Sequence, residues 1–245
     1  MKSIHVPRID ARYWAGITMA SIFGTNTGDL YAHDSGLGII GGLPVLVLLV
    51  AMAYFFERRD NSKHEAWYWL AIIIIRTGAT NIADYLCGRR YVGINRIELS
   101  IGLALFIAAM VWQRTPDDKK GLPQTNARYW VAMLAAGVFG TAAGDALTKA
   151  LGDSSGIGGV YASSIMAVIL AAVLMYGRNG RTQMLYYYWL TVCIARTAGT
   201  AIADMLAENE SLNIGLPTCT LITGLVFVGV LVLWKSRTQP EPAMA

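Results

Sequence analysis

Long uncharged apolar stretches alternate along the chain with short polar segments. Residues 37–56, 157–176 and 213–234 each run for about twenty residues without a charged side chain. A helix of that length spans the roughly 30 Å hydrocarbon core of a bilayer at a rise of about 1.5 Å per residue. A soluble helix of the same length would have a polar face, and these segments have none. The pattern therefore predicts an integral membrane protein.

The same alternation predicts an all-α fold of eight transmembrane helices in a single membrane domain over residues 1–245. Each helix that carries polar residues is followed by a plainly apolar one, so the helices form pairs. The predicted spans are 12–32, 37–56, 66–87, 96–113, 128–150, 156–176, 185–207 and 213–234.

A Tyr-Trp pair occurs four times, close to the start of every odd-numbered helix. In each copy a threonine follows the tryptophan by eleven residues and an aspartate follows it by fifteen. Agreement of both offsets in every copy is far beyond chance and indicates duplication. The residues are Trp14, Trp69, Trp130 and Trp189; Thr25, Thr80, Thr141 and Thr200; and Asp29, Asp84, Asp145 and Asp204.

The four copies alternate in a way that divides the chain into two halves. The first and third copies read Phe-Gly-Thr-x-x-Gly-Asp, whereas the second and fourth carry an arginine, Arg76 or Arg196, four residues before the threonine. We therefore expect four tandem two-helix repeats that arose from a duplicated four-helix unit. The approximate repeats are 12–60, 63–116, 124–181 and 183–238.

With these motifs the chain resembles a family of bacterial integral membrane proteins made of four tandem repeats of unknown function. Each repeat in that family has two transmembrane segments and a hallmark tryptophan. The resemblance rests on the Tyr-Trp and Thr-x-x-x-Asp pairs and extends from Tyr13 to Trp234. It implies the eight-helix architecture and a place in the bacterial inner membrane, and it implies no activity.

The distribution of cations predicts an orientation. Charged residues make up only 15% of the chain, against about 25% in a typical soluble domain. With eight helices, both termini and the loops between repeats share one side, which holds fourteen of the 20 Lys and Arg residues, and the opposite loops hold four. The positive-inside rule then predicts cytoplasmic N- and C-termini. The net charge of +4 reflects this orientation in a lipid bilayer rather than nucleic-acid binding.

The repeated polar residues share one face of each odd helix, because threonine and aspartate lie four residues apart. Arg76 and Arg196 extend the same face by one turn. Charged side chains are costly within a membrane, so they face the bundle interior, where they pair or bind something. We therefore predict that the four threonines, the four aspartates and the two arginines form a central ion- or substrate-binding site. We assign the four tryptophans to the membrane interface, where amphipathic rings act as anchors.

A stripe of small residues flanks this polar face, because glycine or alanine precedes each threonine and each aspartate. Small residues let membrane helices approach closely. The odd helices are therefore predicted to pack on one another, with the even helices forming a lipid-facing ring. The predicted packing residues are Gly24, Gly28, Ala79, Ala83, Gly140, Gly144, Gly199 and Ala203.

Three classes of function remain open. Carboxylate and hydroxyl oxygens suit protons and hard metal ions, which favours transport of a small cation, with anion binding at Arg76 and Arg196 as a variant. The alternative is a structural or scaffold protein whose buried Asp and Arg pairs only hold the helices together. An enzyme is disfavoured, because the sequence shows no serine–histidine–acid set, no HExxH and no phosphate loop, and no motif points to a cofactor.

The transport hypothesis includes a proton. Four aspartates and two arginines would give the central site a formal charge of −2. Crowded carboxylates cannot all stay ionised at low dielectric, so we expect the site to exchange a proton near neutral pH.

Overall fold

The computed structural model of the protein describes residues 7–34, 36, 38–59, 64–87, 96–113, 125–152, 154–177 and 185–234. Most of the loop cations on which the predicted orientation rests lie outside these ranges. The described chain forms eight α-helices, so the predicted all-α fold is confirmed, with helix ends within three residues of the predicted ones. The helices are α1 (Ala11–Asp34), α2 (Gly38–Arg59), α3 (Ala66–Cys87), α4 (Arg96–Gln113), α5 (Ala127–Leu151), α6 (Ile157–Gly177), α7 (Leu185–Glu208) and α8 (Leu216–Leu233).

Two of the odd helices begin with a side-chain cap three residues before the tyrosine of the Tyr-Trp pair. Asp10 accepts a hydrogen bond from the backbone N–H of Tyr13 at 3.0 Å. Asn126 accepts one from the N–H of Tyr129 at the same distance. Such caps satisfy donors that the first helical turn leaves unpaired. They fix where α1 and α5 begin, and hence the level of their tyrosines in the bundle.

The four odd helices pack in a closed cycle, in which α1 contacts α3, α3 contacts α5, α5 contacts α7 and α7 contacts α1. Each even helix packs mainly on the odd helix of the following pair, so that α2 lies on α3, α4 on α5 and α6 on α7. The last helix, α8, returns to α1 and closes the outer ring. The result is a core of four inner helices surrounded by four outer ones.

The outer helices present an apolar surface. Val47 of α2, Val168 of α6 and Leu225 of α8 are each about two-thirds exposed. Large aliphatic side chains exposed over whole helix faces are unfavourable in water and mark a surface that meets an apolar environment. This is the surface expected of the predicted lipid-facing ring.

Four of the described helices, α5 to α8, are long and apolar enough to cross a membrane. In the first half, α2 and α4 contribute shorter apolar segments, Gly41–Phe56 and Leu99–Trp112. The inner helices α1 and α3 carry more polar side chains than the outer helices do. Length and composition therefore indicate a membrane protein and support four of the eight predicted spans.

Candidate functional site

Side chains spaced four residues apart along the inner helices form a central column. Levels four residues apart are separated by about 6 Å, so five levels cover about 24 Å. Every side chain of the first four levels is buried. The levels are Tyr13, Tyr68, Tyr129 and Tyr188; Ile17, Ile72, Met133 and Val192; Ser21, Arg76, Gly137 and Arg196; Thr25, Thr80, Thr141 and Thr200; and Asp29, Asp84, Asp145 and Asp204.

The four tyrosine hydroxyls at one end of the column form a closed ring of hydrogen bonds, which we call the tyrosine ring. Neighbouring oxygens are 2.8, 2.8, 2.7 and 2.6 Å apart in the order Tyr13–Tyr68–Tyr129–Tyr188 and back to Tyr13. Each hydroxyl can donate to one neighbour and accept from the other, so these buried polar atoms satisfy one another. With the apolar level above it, the tyrosine ring closes this end of the column.

The tryptophans of the Tyr-Trp pairs brace the tyrosine ring from outside. Each packs against the tyrosine of a neighbouring inner helix, with ring centroids 5.6–5.8 Å apart. Trp14, Trp69 and Trp189 are only 5%, 3% and 0% exposed, and Trp130 is partly exposed. The three buried rings therefore contribute packing within the bundle, and the assignment of the four tryptophans as interface anchors stays a prediction.

Arg76 ties the four inner helices together at the threonine level. Its Nη1 donates to the hydroxyl of Thr141 at 2.6 Å and to the carbonyl of Gly137 at 3.3 Å. Its Nη2 donates to the hydroxyls of Thr25 and Thr200, each at 2.6 Å. The guanidinium of α3 is therefore hydrogen-bonded to α1, α5 and α7, and its acceptors are hydroxyl and carbonyl oxygens rather than carboxylates.

These contacts change the predicted role of the threonines. The hydroxyls of Thr25, Thr141 and Thr200 direct their lone pairs to Arg76, which occupies the place that a bound cation would need. Thr80 differs in not accepting a bond from Arg76; like Thr25 and Thr200, it donates to the backbone carbonyl four residues before it, at 3.4 Å. The threonine level therefore binds a cation that belongs to the chain itself.

Arg196 has the same position in α7 that Arg76 has in α3, but it turns the other way. Its Nη1 donates to the Ser21 hydroxyl at 3.2 Å, and its Nη2 lies 3.3 Å from the sulfur of Met133. One arginine therefore faces the threonine level and the other faces the tyrosine ring.

The aspartates form the last level, at the opposite end from the tyrosine ring. Asp145 and Asp204 lie within electrostatic range of each other. Asp29 and Asp84 lie within electrostatic range of Asp204. All four side chains are partly exposed, whereas those of the other four levels are buried.

Small residues bring the inner helices close enough to build the column. A Cβ atom added at Gly24 would lie 2.5 Å from the side chain of Arg76, and one added at Gly140 would lie 2.5 Å from that of Arg196. Gly28, Gly144 and Gly199 likewise meet a side chain of the neighbouring inner helix within 3 Å of such an atom, and Ala79, Ala83 and Ala203 are buried. The inner helices are thus in contact along the predicted stripe.

Sequence reasoning did not identify three parts of the site: the tyrosine ring, the apolar level and the arginine partners Ser21 and Met133. The sequence does carry a signal for these parts, because the residues of each level stand at the same distance, a multiple of four residues, after the tyrosine of every Tyr-Trp pair. This signal is not distinctive, because helix packing alone explains an apolar residue or a serine inside a membrane helix.

Comparison with known families matches the second half of the chain. The profile of a repeat of unknown function, DUF347, matches residues 128–179 and again residues 187–239. These two matches cover all but the first one or two residues of the helix pairs α5–α6 and α7–α8. No curated protein and no solved structure matches the chain. The second half therefore contains two copies of a known repeat, and the repeat carries no assigned activity.

Proposed function

We propose that this protein is a membrane transport protein that moves protons, alone or coupled to a small cation, through its central column. The observation that carries the proposal is the column itself, in which four carboxylates and two guanidiniums lie inside a helical bundle with an apolar surface. Its aspartate end is partly exposed and its tyrosine end is closed. A central charged site that opens to one side is the arrangement of a transporter in one of its access states.

Protons fit the column better than a hard metal ion does. Three of the four threonine hydroxyls already accept hydrogen bonds from Arg76. Among the described residues, no group of three His, Cys, Asp or Glu side chains is close enough to hold a metal ion. Carboxyl groups gathered at one level, in contrast, can hold and exchange a proton, because they cannot all stay ionised at low dielectric.

The proposal includes four repeats, eight spans and cytoplasmic termini in a bacterial inner membrane. Repeated contacts support the first point, since Gly24 packs on Arg76 as Gly140 packs on Arg196. The tyrosine ring would then face the cytoplasm. Reporter fusions in segments 57–65, 114–127 and 177–184 should report the cytoplasm, and fusions near 33–36 and 208–212 should report the outside. The reverse result at two or more sites would contradict this topology.

The alternative is a structural membrane protein, and the bonds of Arg76 favour it. A guanidinium that joins four helices through three short hydrogen bonds could serve cohesion alone. That role does not explain why aspartates stand at the same position of all four inner helices.

Proton flux into liposomes separates the two functions. The purified protein is reconstituted with a trapped pH dye, and a potassium diffusion potential drives protons inward. We expect flux above that of empty liposomes, and a loss of about a hundredfold in Asp145→Asn or Asp204→Asn, as when an acid–base group is removed. Glu210→Gln is the matched control, because this exposed carboxylate lies outside the column and should leave flux unchanged.

Thermal melting of each variant is measured in parallel. Asn variants that fold normally but conduct poorly support transport. Asn variants that melt earlier, together with a wild-type protein that conducts no better than empty liposomes, support the structural alternative.

A further inference from the structure

Two apolar grooves lie at equivalent places on the outer surface of the two halves. The first groove, of about 600 Å³, lies where α4 packs on α5 and includes the end of α3. The second groove, of about 870 Å³, lies between α1, α6 and α8 and includes part of α7. In both, the inner helix contributes the residues two, five and six after its tyrosine, which are Val131, Leu134 and Ala135 in the first groove and Ala15, Thr18 and Met19 in the second. The two grooves can therefore be compared position by position.

The first groove has the depth of one membrane leaflet. Its lining extends from Val131 to Ala142 on α5 and from Trp112 to Ile101 on α4, eleven residues in each case. Eleven residues of helix rise about 16 Å, which is close to half of the roughly 30 Å hydrocarbon core of a bilayer. The described lining residues are all aliphatic, aromatic or glycine. A groove of this depth and character fits a hydrocarbon chain of a lipid.

Arg128 stands at the tyrosine-ring end of the first groove. It precedes Val131 by three residues, so the two side chains share a face of α5. Its guanidinium lies over the ring of Trp112, 5.5 Å from the centroid, and both side chains are exposed. Tryptophan and arginine at the end of an apolar segment are typical of the headgroup level of a membrane. The cation is therefore placed where the phosphate of a lipid seated in the groove would lie.

The equivalent arginine at the second groove is neutralised. Arg12 precedes Tyr13 as Arg128 precedes Tyr129. The Nη1 atom of Arg12 donates to the carboxylate of Glu65 at 2.7 Å, and the arginine side chain is only 11% exposed. Its Nη2 atom donates to a backbone carbonyl of α8. This guanidinium is therefore already bound within the protein.

The acidic residues beside Arg12 are replaced by neutral ones beside Arg128. Leu185 stands three residues before the tyrosine of α7, where Glu65 stands in α3. Asn126 caps α5 as Asp10, which lines the second groove, caps α1. Within the described ranges, Arg128 has no carboxylate partner. The equivalent positions therefore carry one arginine and two carboxylates at the second groove, and one arginine alone at the first.

We propose that the first groove binds one anionic phospholipid from the leaflet on the tyrosine-ring side, with its phosphate on Arg128 and an acyl chain along α4 and α5. Basic pockets between transmembrane helices bind anionic headgroups in this way. The second groove, with carboxylates at the same end, has no such preference for negative charge. The inference concerns the outer surface and stands independently of transport through the column.

Native mass spectrometry of the full chain in detergent counts the lipids that it binds. Phosphatidylglycerol and phosphatidylcholine with identical acyl chains are titrated separately. We expect the first phosphatidylglycerol to bind about fivefold more tightly than phosphatidylcholine, because one basic residue near a membrane surface contributes about that factor. Arg128→Gln should remove this difference. Arg59→Gln is the matched control, because its guanidinium also lies over an aromatic ring, 4.1 Å from the centroid of Phe55, but outside both grooves.

Two further variants test the charge and the groove separately. Leu185→Glu supplies the carboxylate found in the first half, so it should remove the preference for phosphatidylglycerol while Arg128 is still present. Ala108→Phe fills the groove with a larger side chain and should weaken the binding of both lipids. Ala104→Phe is the matched enlargement, because this exposed alanine of α4 lies outside the groove lining and the variant should bind as the wild type does.

Thermal melting with and without each lipid is recorded on the same preparations. A preference for phosphatidylglycerol that disappears in Arg128→Gln, together with a rise in melting temperature on adding this lipid that also disappears, supports the proposal. Because Arg128 is exposed, its replacement decides the matter even if Leu185→Glu does not fold. Equal binding of both lipids by the wild type, or a preference that Arg128→Gln leaves unchanged, overturns the proposal. A dimer that Ala108→Phe converts to a monomer while lipid binding persists also overturns it, because a second copy would then occupy the groove.

Discussion

The two ends of the column are built from opposite chemistry on the same four helices. At the tyrosine end, each side chain is buried, neutral and hydrogen-bonded to two equivalents of itself. At the aspartate end, like charges are gathered in partly exposed positions. Each inner helix contributes one residue to each end, so the contrast comes from residue type rather than from backbone geometry.

The tyrosine end of the column is therefore rigid, and the aspartate end is adjustable. A closed ring of satisfied hydroxyls gains nothing from rearrangement. Crowded carboxylates change their interactions with every proton gained or lost. The arginines lie between these ends: Arg76 donates to hydroxyls of the threonine level, and Arg196 donates to Ser21 and to the sulfur of Met133.

The largest effect is expected from Gly140→Leu or Gly144→Leu, which should remove both ends of the column together. Overpacking a well-packed core typically costs about 1–3 kcal/mol and sometimes more, and here the added side chain meets the Cβ atom of Arg196 or Thr200 and the backbone of Thr197. Neither variant should give a folded, monodisperse protein in detergent. Ala171→Leu, on the exposed face of α6, is the matched enlargement and should be tolerated. Equal yield and melting for all three would contradict the packing.

A smaller effect on stability is expected from replacing the two arginines of the column. Arg76→Gln should destabilise the protein more than Arg196→Gln, by about 2–4 kcal/mol, because Arg76 loses three short charge-assisted hydrogen bonds and Arg196 loses two weak ones. Thermal melting of the two variants in the same detergent measures the difference. Equal losses would show that the arginines are held equally well.

The smallest effect concerns the tyrosine ring. Tyr129→Phe keeps the aromatic packing and removes one hydroxyl, which leaves two neighbours each short of a partner, at a cost of about 1–3 kcal/mol. Tyr161→Phe, on an exposed side chain of α6, is the control and should not change the melting temperature. An unchanged melting temperature in Tyr129→Phe would show that the ring contributes no stability.

Helix positions were predictable because hydropathy and charge are local properties of the chain. The spacing of small residues also indicated that the inner helices touch, and the contacts of Gly24 and Gly140 follow that stripe. Polarity alone did not predict which side chains the threonines bind. Three of the threonines, proposed as cation ligands, accept hydrogen bonds from Arg76, because the long arginine side chain reaches one level further than helical spacing suggests.

The order of the helices around the axis of the column could also not be predicted from the sequence. Hairpin reasoning pairs each even helix with the odd helix before it, but α2 and α4 pack mainly on the odd helix that follows. That forward packing lets α8 return to α1 and closes a cycle of four. Only a closed cycle brings four tyrosines into one ring, so the ring follows from a helix order that the sequence does not show.

The central claim is that the column exchanges protons at its aspartate end and is closed at its tyrosine end. Its most direct test is proton flux in proteoliposomes of uniform orientation, with the pH of the two sides varied independently. We expect the flux to follow the pH on the aspartate side and to respond little to the pH on the tyrosine side. Equal dependence on both sides, or no flux above that of empty liposomes, would contradict the account.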